Sequence, residues 1–385
     1  MIVKKANTAL VVNAVRSAGT MTIEEMATGT GLSRPTVVSI VRALESQRII
    51  YRSGLAPAEV GRQPNLYAID VTARFAIGID IDGPPARLVL TDLTGAARHE
   101  AVWRLDNDAT YEEILATLVH QVEQALRTAA INPQQVMGIG LGLPASVDVS
   151  SNRAVNLSRL EALRDAPIGE ALHERTQIPV SVRNDAHLMA LAEDSDKQED
   201  YLYIAFRTGV GLAVVIDEKV FEGQTGNAGF IGHTTISPTG PLCACGMRGC
   251  LEAIVSKRAI VANYASAAGV DAPYDTILDL ALHDGDHALL VLDDAARWFG
   301  LAIANLIKIT DVYTVILGDL GCDETHPFFT AIAEAVAVNT ATFLRRPPRL
   351  RAGRLSGAQF ALGGAEFIID QFFATPRLRL KADGG

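Results

Sequence analysis

The sequence predicts an α/β protein with a small winged helix-turn-helix unit at its N-terminus. From about residue 75 onward, apolar strand-like runs alternate with amphipathic helical segments. The first seventy residues instead contain two short capped helices followed by a predicted hairpin. Charge also divides unevenly, because residues 1–64 carry a formal charge of +4 within a chain whose total is −10. A basic end on an acidic body is typical of a segment that meets a polyanion.

The helix-turn-helix is predicted from its capping residues. Thr22 and Glu25 have the spacing of a capping box, in which each side chain satisfies a backbone amide of the other residue. The first helix should therefore begin after Thr22, and it should stop near Gly31. Ser33 is a favourable N-cap for a second helix, which we expect to run to about Ser46.

The second helix is predicted to face DNA. Its apolar residues fall on one side at spacings of three and four, which leaves polar side chains on the other side. Strand-like runs at 49–52 and 65–69 form the wing. In such modules the start of this helix enters the major groove while flanking basic side chains hold phosphates. The alternative is an ordinary helical pair docked on the larger domain. The predicted contacts to operator DNA are Ser33, Arg34, Thr36, Ser39, Arg42, Arg52 and Arg62.

The body of the chain has the alternating pattern of an α/β domain. No run approaches the roughly 18 apolar residues of a membrane helix, so we expect a cytoplasmic protein without a membrane partner. The predicted strands are 76–81, 88–92, 136–143, 180–182, 201–206, 212–216 and 312–317, and the predicted helices are 111–129, 186–194, 252–268 and 288–308.

One histidine and three cysteines form a predicted structural zinc site. His233, Cys243, Cys245 and Cys250 lie within eighteen residues, and Zn²⁺ in structural sites takes four nitrogen or sulfur ligands. Clustered cysteines with a nearby histidine favour a metal over a disulfide in a cytosolic chain. The alternative is three reduced cysteines without a metal. The fourth cysteine, Cys322, stands apart.

Several segments together resemble the ROK family of repressors and sugar kinases. They are the winged helix-turn-helix, the segment 61–66, the turn at 184–186, and the run of a Gly-His pair followed by CxCGxxGCxE. The resemblance covers essentially the whole chain. It implies an actin-like, ribonuclease H-like fold of two α/β lobes, with a sugar pocket in the cleft and zinc in the second lobe.

The resemblance also implies a domain division. Residues 1–70 would form the DNA-binding domain and residues 71–184 the first lobe, completed by a C-terminal helix at 365–385. Residues 185–364 would form the second lobe with the zinc site.

By the same resemblance, four residues contact a sugar: Asn184, Asp185, His233 and Glu252. Asp185 matches the family's catalytic base, and His233 would use one ring nitrogen for zinc and the other for the ligand. The family's usual glutamate three residues before the histidine is Phe230 here. That ring would either stack on a sugar or block it. The alternative roles are local, with Asp185 capping the helix that follows and Glu252 capping or forming a local salt bridge.

The loops that hold ATP in kinase members of the family are altered. The phosphate-cradling DxGGT is replaced by a segment with Asp82, Pro84 and Pro85, which adds a negative charge and removes backbone donors. Arg207 departs from a GTGxGGG-like pattern, and Asp319 replaces a glycine. We therefore expect no enzymatic activity, with Asp185 as a vestigial base.

These features predict a sugar-responsive repressor of carbohydrate genes, with zinc as a structural cofactor. Its expected partners are operator DNA, a small carbohydrate or sugar phosphate, and further copies of itself in a homodimer or homotetramer. One alternative is an ATP-dependent sugar kinase with an added DNA-binding domain. Another is a regulator that has lost its sugar site through Phe230 and answers to a protein partner or to no ligand.

Overall fold

A computed structural model describes residues 2–57, 63–82, 85–157, 160–193, 199–283 and 285–373. The N-terminal unit has three helices on a three-stranded antiparallel sheet of order β1-β3-β2. Its elements are α1 (Ile2–Ala18), β1 (Thr20–Met21), α2 (Ile23–Thr30), α3 (Arg34–Ser46), β2 (Ile50–Leu55) and β3 (Asn65–Ile69).

The predicted helix caps are present in the N-terminal unit. The Thr22 backbone amide donates to Glu25 Oε2 at 2.7 Å, and the Glu25 amide donates to Thr22 Oγ1 at 3.2 Å. Gly31 ends α2 in the left-handed conformation, and Ser33 caps α3. Helix α1 was not predicted. Its valines have low intrinsic helix propensity, and the helix is stabilised by packing against the rest of the unit.

The first lobe is built on a five-stranded sheet of order β10-β7-β4-β5-β6. Strands β4, β5 and β6 are antiparallel neighbours, whereas β7 runs parallel to both β4 and β10. The lobe also contains helices α4 and α5 and the hairpin β8–β9. The elements are β4 (Phe75–Asp80), β5 (Ala86–Asp92), β6 (Ala97–Trp103), α4 (Tyr111–Ala129), β7 (Val136–Leu143), β8 (Ala145–Asp148), β9 (Arg153–Leu157), α5 (Ile168–Thr176) and β10 (Val180–Asn184).

The second lobe contains another five-stranded sheet, of order β13-β12-β11-β14-β15. Helices pack over it and bury a large apolar core. The elements are α6 (Asp185–Glu193), β11 (Tyr201–Phe206), β12 (Val210–Ile216), β13 (Lys219–Val220), α7 (Leu251–Val255), α8 (Lys257–Ala268), α9 (Tyr274–Ala281), α10 (Asp286–Thr310), β14 (Thr314–Gly318), α11 (Pro327–Thr340) and β15 (Arg349–Ala352).

The predicted helix at 252–268 is two helices. Ser256 separates α7 from α8 with an extended backbone, and its hydroxyl accepts a hydrogen bond from the Ala259 amide at 3.3 Å. The apolar periodicity continues across Ser256, so the sequence pattern predicted one helix and did not indicate this internal cap. The two lobes also contain elements that were not predicted, namely strands β6, β8, β9, β13 and β15 and helices α5, α9 and α11. Helix α10 extends two residues beyond the expected helix at each end.

The last helix of the described chain, α12 (Leu362–Phe373), packs on the sheet of the first lobe against β4 and β7. It starts three residues earlier than expected, and residues 374–385 lie outside the described residues. Backbone meets backbone there, because a Cβ added at Gly78 or Gly140 would collide with the carbonyl of Ala361 or Gly364. Only glycine permits this approach.

Strands β3 and β10 end at Ile69 and Asn184, next to the predicted domain limits, and the division into three domains stays a prediction. Within the described parts of the chain, no helix is both long and apolar enough to cross a membrane.

Candidate functional site

A cavity of about 710 Å³ lies in the cleft between the two lobes. This volume is within the range of about 300–1,000 Å³ that is usual for small-molecule sites. The first lobe contributes the start of β8, and the second lobe contributes the loops before β12 and α7. The cavity brings together the residues predicted to contact a sugar, although they are up to 68 positions apart in the chain: Asn184, Asp185, His233 and Glu252.

Asn184 and Asp185 reach the cavity where β10 ends and α6 begins. The Asn184 Nδ2 donates to the Ala145 carbonyl at 3.1 Å, and its Oδ1 accepts from the His187 amide at 3.3 Å. Asn184 therefore supplies a capping hydrogen bond to α6, a role that the alternative prediction assigned to Asp185. Asp185 is buried, and burial together with the Asp82 carboxylate raises its pKa well above the ordinary value.

Glu252 is held in the first turn of α7. Its Oε2 accepts a hydrogen bond from the Val210 amide at 3.2 Å, and the side chain is only 5% exposed. Gly209 and Gly232 both approach this carboxylate so closely that a Cβ at either position would crowd it. Glu252 thus makes a structural hydrogen bond to the first residue of β12, 42 positions away in the chain, and also lines the cavity.

Phe230 contributes an exposed aromatic ring to the cavity lining. The residue is 44% exposed, and its ring centroid lies 6.4 Å from that of His233. An exposed ring in the cleft offers a flat apolar surface to a ligand.

His233, Cys243, Cys245 and Cys250 form a compact cluster whose ligand atoms all lie within 4.8 Å of one another. His233 Nδ1 is 3.7 Å from the Cys243 sulfur, and the sulfurs of Cys245 and Cys250 are also 3.7 Å apart. A tetrahedron with bonds of about 2.0–2.3 Å places its ligand atoms about 3.5–3.8 Å apart. The cluster therefore has the geometry to bind one metal ion.

Buried ion pairs around Arg207 connect the lobes. Its guanidinium lies 3.0 Å from the Asp80 carboxylate and 3.3 Å from that of Asp82, and it approaches Asp319 at 3.8 Å and Asp185 at 4.0 Å. Burial alone would lower the pKa of Arg207, but Asp80 and Asp82 outweigh it and hold the pKa well above the ordinary value.

Asp82, Arg207 and Asp319 were flagged from the sequence only as departures from nucleotide-binding loops. Their mutual pairing was missed, because Asp80 and Arg207 are 127 positions apart. The available signal for this pairing was that the two altered loops, which the family resemblance places in one cleft, carry opposite charges. Pro84 lies outside the described residues, and Pro85 is exposed.

The predicted DNA-contacting residues share the outer side of α3 and the adjoining strand. Ser39 and Arg42 are exposed, whereas the Ser33 hydroxyl is used as the α3 cap and lies 2.8 Å from the Thr36 hydroxyl. Arg34 and Arg52 form exposed ion pairs, with Glu24 at 3.0 Å and Glu45 at 3.1 Å respectively. Such pairs contribute little, so both arginines remain available to phosphate. Arg62 lies outside the described residues.

The model of the ROK family matches residues 76–371. The chain belongs to the ROK family. The predicted family and the two-lobed fold with an N-terminal helical region are therefore confirmed. Residues 1–75, including the complete winged helix-turn-helix, precede the matched segment.

Similar ROK proteins include both repressors and kinases. A xylose repressor of Bacillus subtilis (strain 168) is 25% identical, covering 96% of each chain. An N-acetylmannosamine kinase of Escherichia coli O7:K1 is 32% identical, but it covers only 71% of this chain against 97% of its own. The similarity to the repressor thus includes most of the N-terminal unit, whereas the kinase has no counterpart for more than a quarter of the chain.

Solved structures show the same difference in how much of this chain they cover. A ROK family transcriptional regulator, a homologue of the Escherichia coli MLC protein, superposes with a TM-score of 0.79 over 97% of each chain, at 20% identity. A ROK hexokinase from Thermus thermophilus gives a TM-score of 0.64 at 29% identity, over 76% of this chain and 97% of its own. Family membership by itself therefore leaves open whether a member is an enzyme.

Proposed function

We propose that this protein is a transcriptional repressor whose binding to operator DNA responds to a sugar held in the cleft. The observation that carries the proposal is the Arg207 cluster. Asp80, Asp82 and Asp319 surround one guanidinium in the loops that would hold nucleotide phosphates in a kinase. The cations beside these carboxylates are each engaged in an ion pair with them: Arg207, Arg87 and Lys257. A triphosphate would have to compete with three carboxylates for these cations, which favours a non-enzymatic role.

The sugar would be bound on the other side of the same cleft. Asn184, Asp185, His233 and Glu252 offer groups that hydrogen-bond hydroxyls, and Phe230 offers its face to the apolar side of a pyranose ring. Similarity to proteins named xylose repressors makes D-xylose the first sugar to test.

An unphosphorylated sugar is favoured over a sugar phosphate. Among the described residues that line the cavity, the two arginines already face carboxylates. Arg164 pairs with Glu161, and Arg207 pairs with Asp80 and Asp82. A phosphate entering the cavity would have to compete with these pairs.

The metal cluster supports a structural zinc ion held by His233, Cys243, Cys245 and Cys250. The ion would fix the loop that leads from the cavity into α7. Because His233 Nδ1 faces Cys243 while the residue also lines the cavity, the same ring would orient a sugar hydroxyl through its other nitrogen.

Operator recognition would require two copies of the N-terminal unit. A dimer reads two half-sites separated by about 34–36 Å or a multiple, so a modest rotation of the units weakens binding. We propose a homodimer or a pair of dimers, which would act in the cytoplasm where the DNA lies.

The test is fluorescence anisotropy with DNA from the gene's own upstream region at fixed salt, titrated with D-xylose, D-glucose, N-acetyl-D-mannosamine and their phosphates. We expect salt-sensitive binding that one unphosphorylated sugar weakens. Arg42→Ala should reduce DNA affinity about tenfold, whereas Arg297→Ala, at an exposed ion pair on α10, should leave it unchanged. Absence of binding at low salt would contradict the proposal.

A sugar kinase remains the second candidate, because Asp185 lies in the cavity and an N-acetylmannosamine kinase is 32% identical. Burial and Asp82 keep the Asp185 pKa raised, which disfavours the ionised form that a general base needs. A coupled ATP-consumption assay with the same sugars decides between the two. Turnover that disappears in Asp185→Asn would favour the kinase.

A further inference from the structure

We infer that one continuous segment, residues 357–373, transmits the state of the cavity to the DNA-binding unit, and that Arg16 is the positioning residue at its far end. The segment consists of a short 3-10 helix (Gly357–Ala361) followed directly by α12. The inference rests on the proposed function, and it names the structural route by which the sugar site would regulate DNA binding.

The first end of the segment lies at the Arg207 cluster. The Phe360 ring lies against two guanidinium groups, with its centroid 4.9 Å from the guanidinium of Arg87 and 5.1 Å from that of Arg207. Both arginines pair with Asp80, at 3.1 Å and 3.0 Å respectively. Phe360 is 5% exposed, so it has little room to move independently of them. A ligand that shifts the lobes, and with them Arg207, must therefore also displace Phe360.

The middle of the segment is locked to α6 and to the first-lobe sheet. A Cβ added at Gly363 would collide with the Leu188 carbonyl on α6, and one added at Gly364 would collide with that of Gly140 on β7. Helix α6 begins at Asp185 in the cavity. Because these backbone contacts are so close, α12 cannot slide along α6. A displacement of α6 therefore moves α12 as a rigid body.

The far end of the segment holds the DNA-binding unit. Arg16 on α1 pairs with Glu366 at 2.6 Å and with Asp370 at 3.5 Å, and the side chains of Arg16 and Glu366 are 16% and 15% exposed. Beside these pairs, apolar residues of α12 share one buried core with α1: Val11, Val12, Val15, Ala365, Ile369 and Phe373. The apolar contact holds the two helices together, while the directional pairs fix their relative rotation.

The alternative is that Arg16 only stabilises the docked unit. The two roles differ in what they change. A purely structural role alters the free energy of unfolding, whereas a coupling role alters the factor by which sugar weakens DNA binding. Arg16 does not belong to the predicted DNA face, so both binding reactions can be measured in its absence.

The decisive variant is Arg16→Met, which keeps the apolar stem and removes the charge. We expect its affinity for DNA without sugar, and its affinity for sugar, to stay within about threefold of wild type. The ratio of DNA dissociation constants with and without sugar, measured with D-xylose, D-glucose and N-acetyl-D-mannosamine, should fall at least fivefold toward one. Arg16→Lys should restore part of this ratio.

Arg48→Met is the matched control, because Arg48 lies in the same unit and its exposed guanidinium is 3.8 Å from the Asp70 carboxylate. It should keep the wild-type ratio. If Arg16→Met does not fold, Glu366→Gln weakens the same pair from α12 and should give the same loss. A ratio that survives in the folded variants overturns the inference alone. A wild-type protein that binds no DNA, or that ignores every sugar, overturns the proposed function as well.

Discussion

The Arg207 guanidinium and the Asp80 carboxylate lie 3.0 Å apart, although one belongs to the second lobe and the other to the first. Both side chains are almost fully buried, at 5% and 3% exposure. The ion pair spans the cleft. A buried charge that loses its partner is costly, so this pair sets a clear expectation for its removal.

Arg207→Met should lower the free energy of unfolding by about 3–5 kcal/mol, because it removes the buried cation that pairs with Asp82 and leaves Asp80 with Arg87 alone. Urea denaturation followed by circular dichroism measures the change. Arg297→Met removes an exposed pair with Asp293 and should cost no more than about 1 kcal/mol. Equal losses in the two variants would mean that the cluster is not a stabilising contact.

Asp185 should make stability fall as pH rises. Its pKa is raised well above 3.8 in the folded protein, so between the unfolded and folded values the folded state holds a proton that the unfolded state has released. The contribution of Asp185 to the free energy of unfolding is fully present below its pKa in the unfolded chain. It is lost as the pH rises through its pKa in the folded protein. Asp185→Asn removes this dependence.

The difference in unfolding free energy between Asp185→Asn and wild type should therefore move in favour of the variant from about pH 4 upward. Urea denaturation at closely spaced pH values measures it. Because subtraction cancels the other titrating groups, a difference independent of pH would show that the Asp185 pKa is ordinary.

Cys245→Ser should reduce bound zinc to well below one ion per chain and destabilise the second lobe, because three ligands hold zinc less tightly than four. Inductively coupled plasma mass spectrometry gives the metal content, and thermal unfolding gives the stability. Cys322→Ser lies outside the cluster and should keep the full metal content. Full zinc in Cys245→Ser would remove that residue from the ligand set.

Phe230→Ala should weaken sugar binding about fivefold to tenfold, since loss of a stacking ring costs roughly 1–1.5 kcal/mol. Isothermal titration calorimetry with the sugar that responds in the DNA assay measures the change. Phe221→Ala removes another exposed ring that is not part of the cavity lining and should bind sugar normally. Tighter binding in Phe230→Ala would mean that the ring obstructs the pocket.

Local signals predicted the parts of the molecule that depend on neighbours in sequence. The Thr22 capping box and the Ser33 cap determine helix starts within three residues of themselves. Likewise, the metal cluster was predictable because its four residues lie within eighteen positions. The sugar-side residues were assigned through family resemblance, and the cavity brings them together while their roles stay a prediction.

Long-range partners were not predictable from local pattern. Nothing near Arg207 in the sequence indicates that its charge is neutralised by Asp80 and Asp82 in the other lobe. The break at Ser256 was missed for a different reason, because its local cap lies within one continuous apolar period. Pairing across more than a hundred residues depends on the complete fold, which a window of sequence does not contain.

The position of α12 has a consequence for synthesis of the chain. The helix that covers β4 and β7, and that also shares a core with α1, consists of the last residues of the described chain to leave the ribosome. Until they emerge, one face of the first sheet and one side of the DNA-binding unit have no partner. Nascent chains should therefore expose this apolar surface until α12 has emerged, which makes them clients for chaperones. A message cut short before the codon for Leu362 would yield a product without α12.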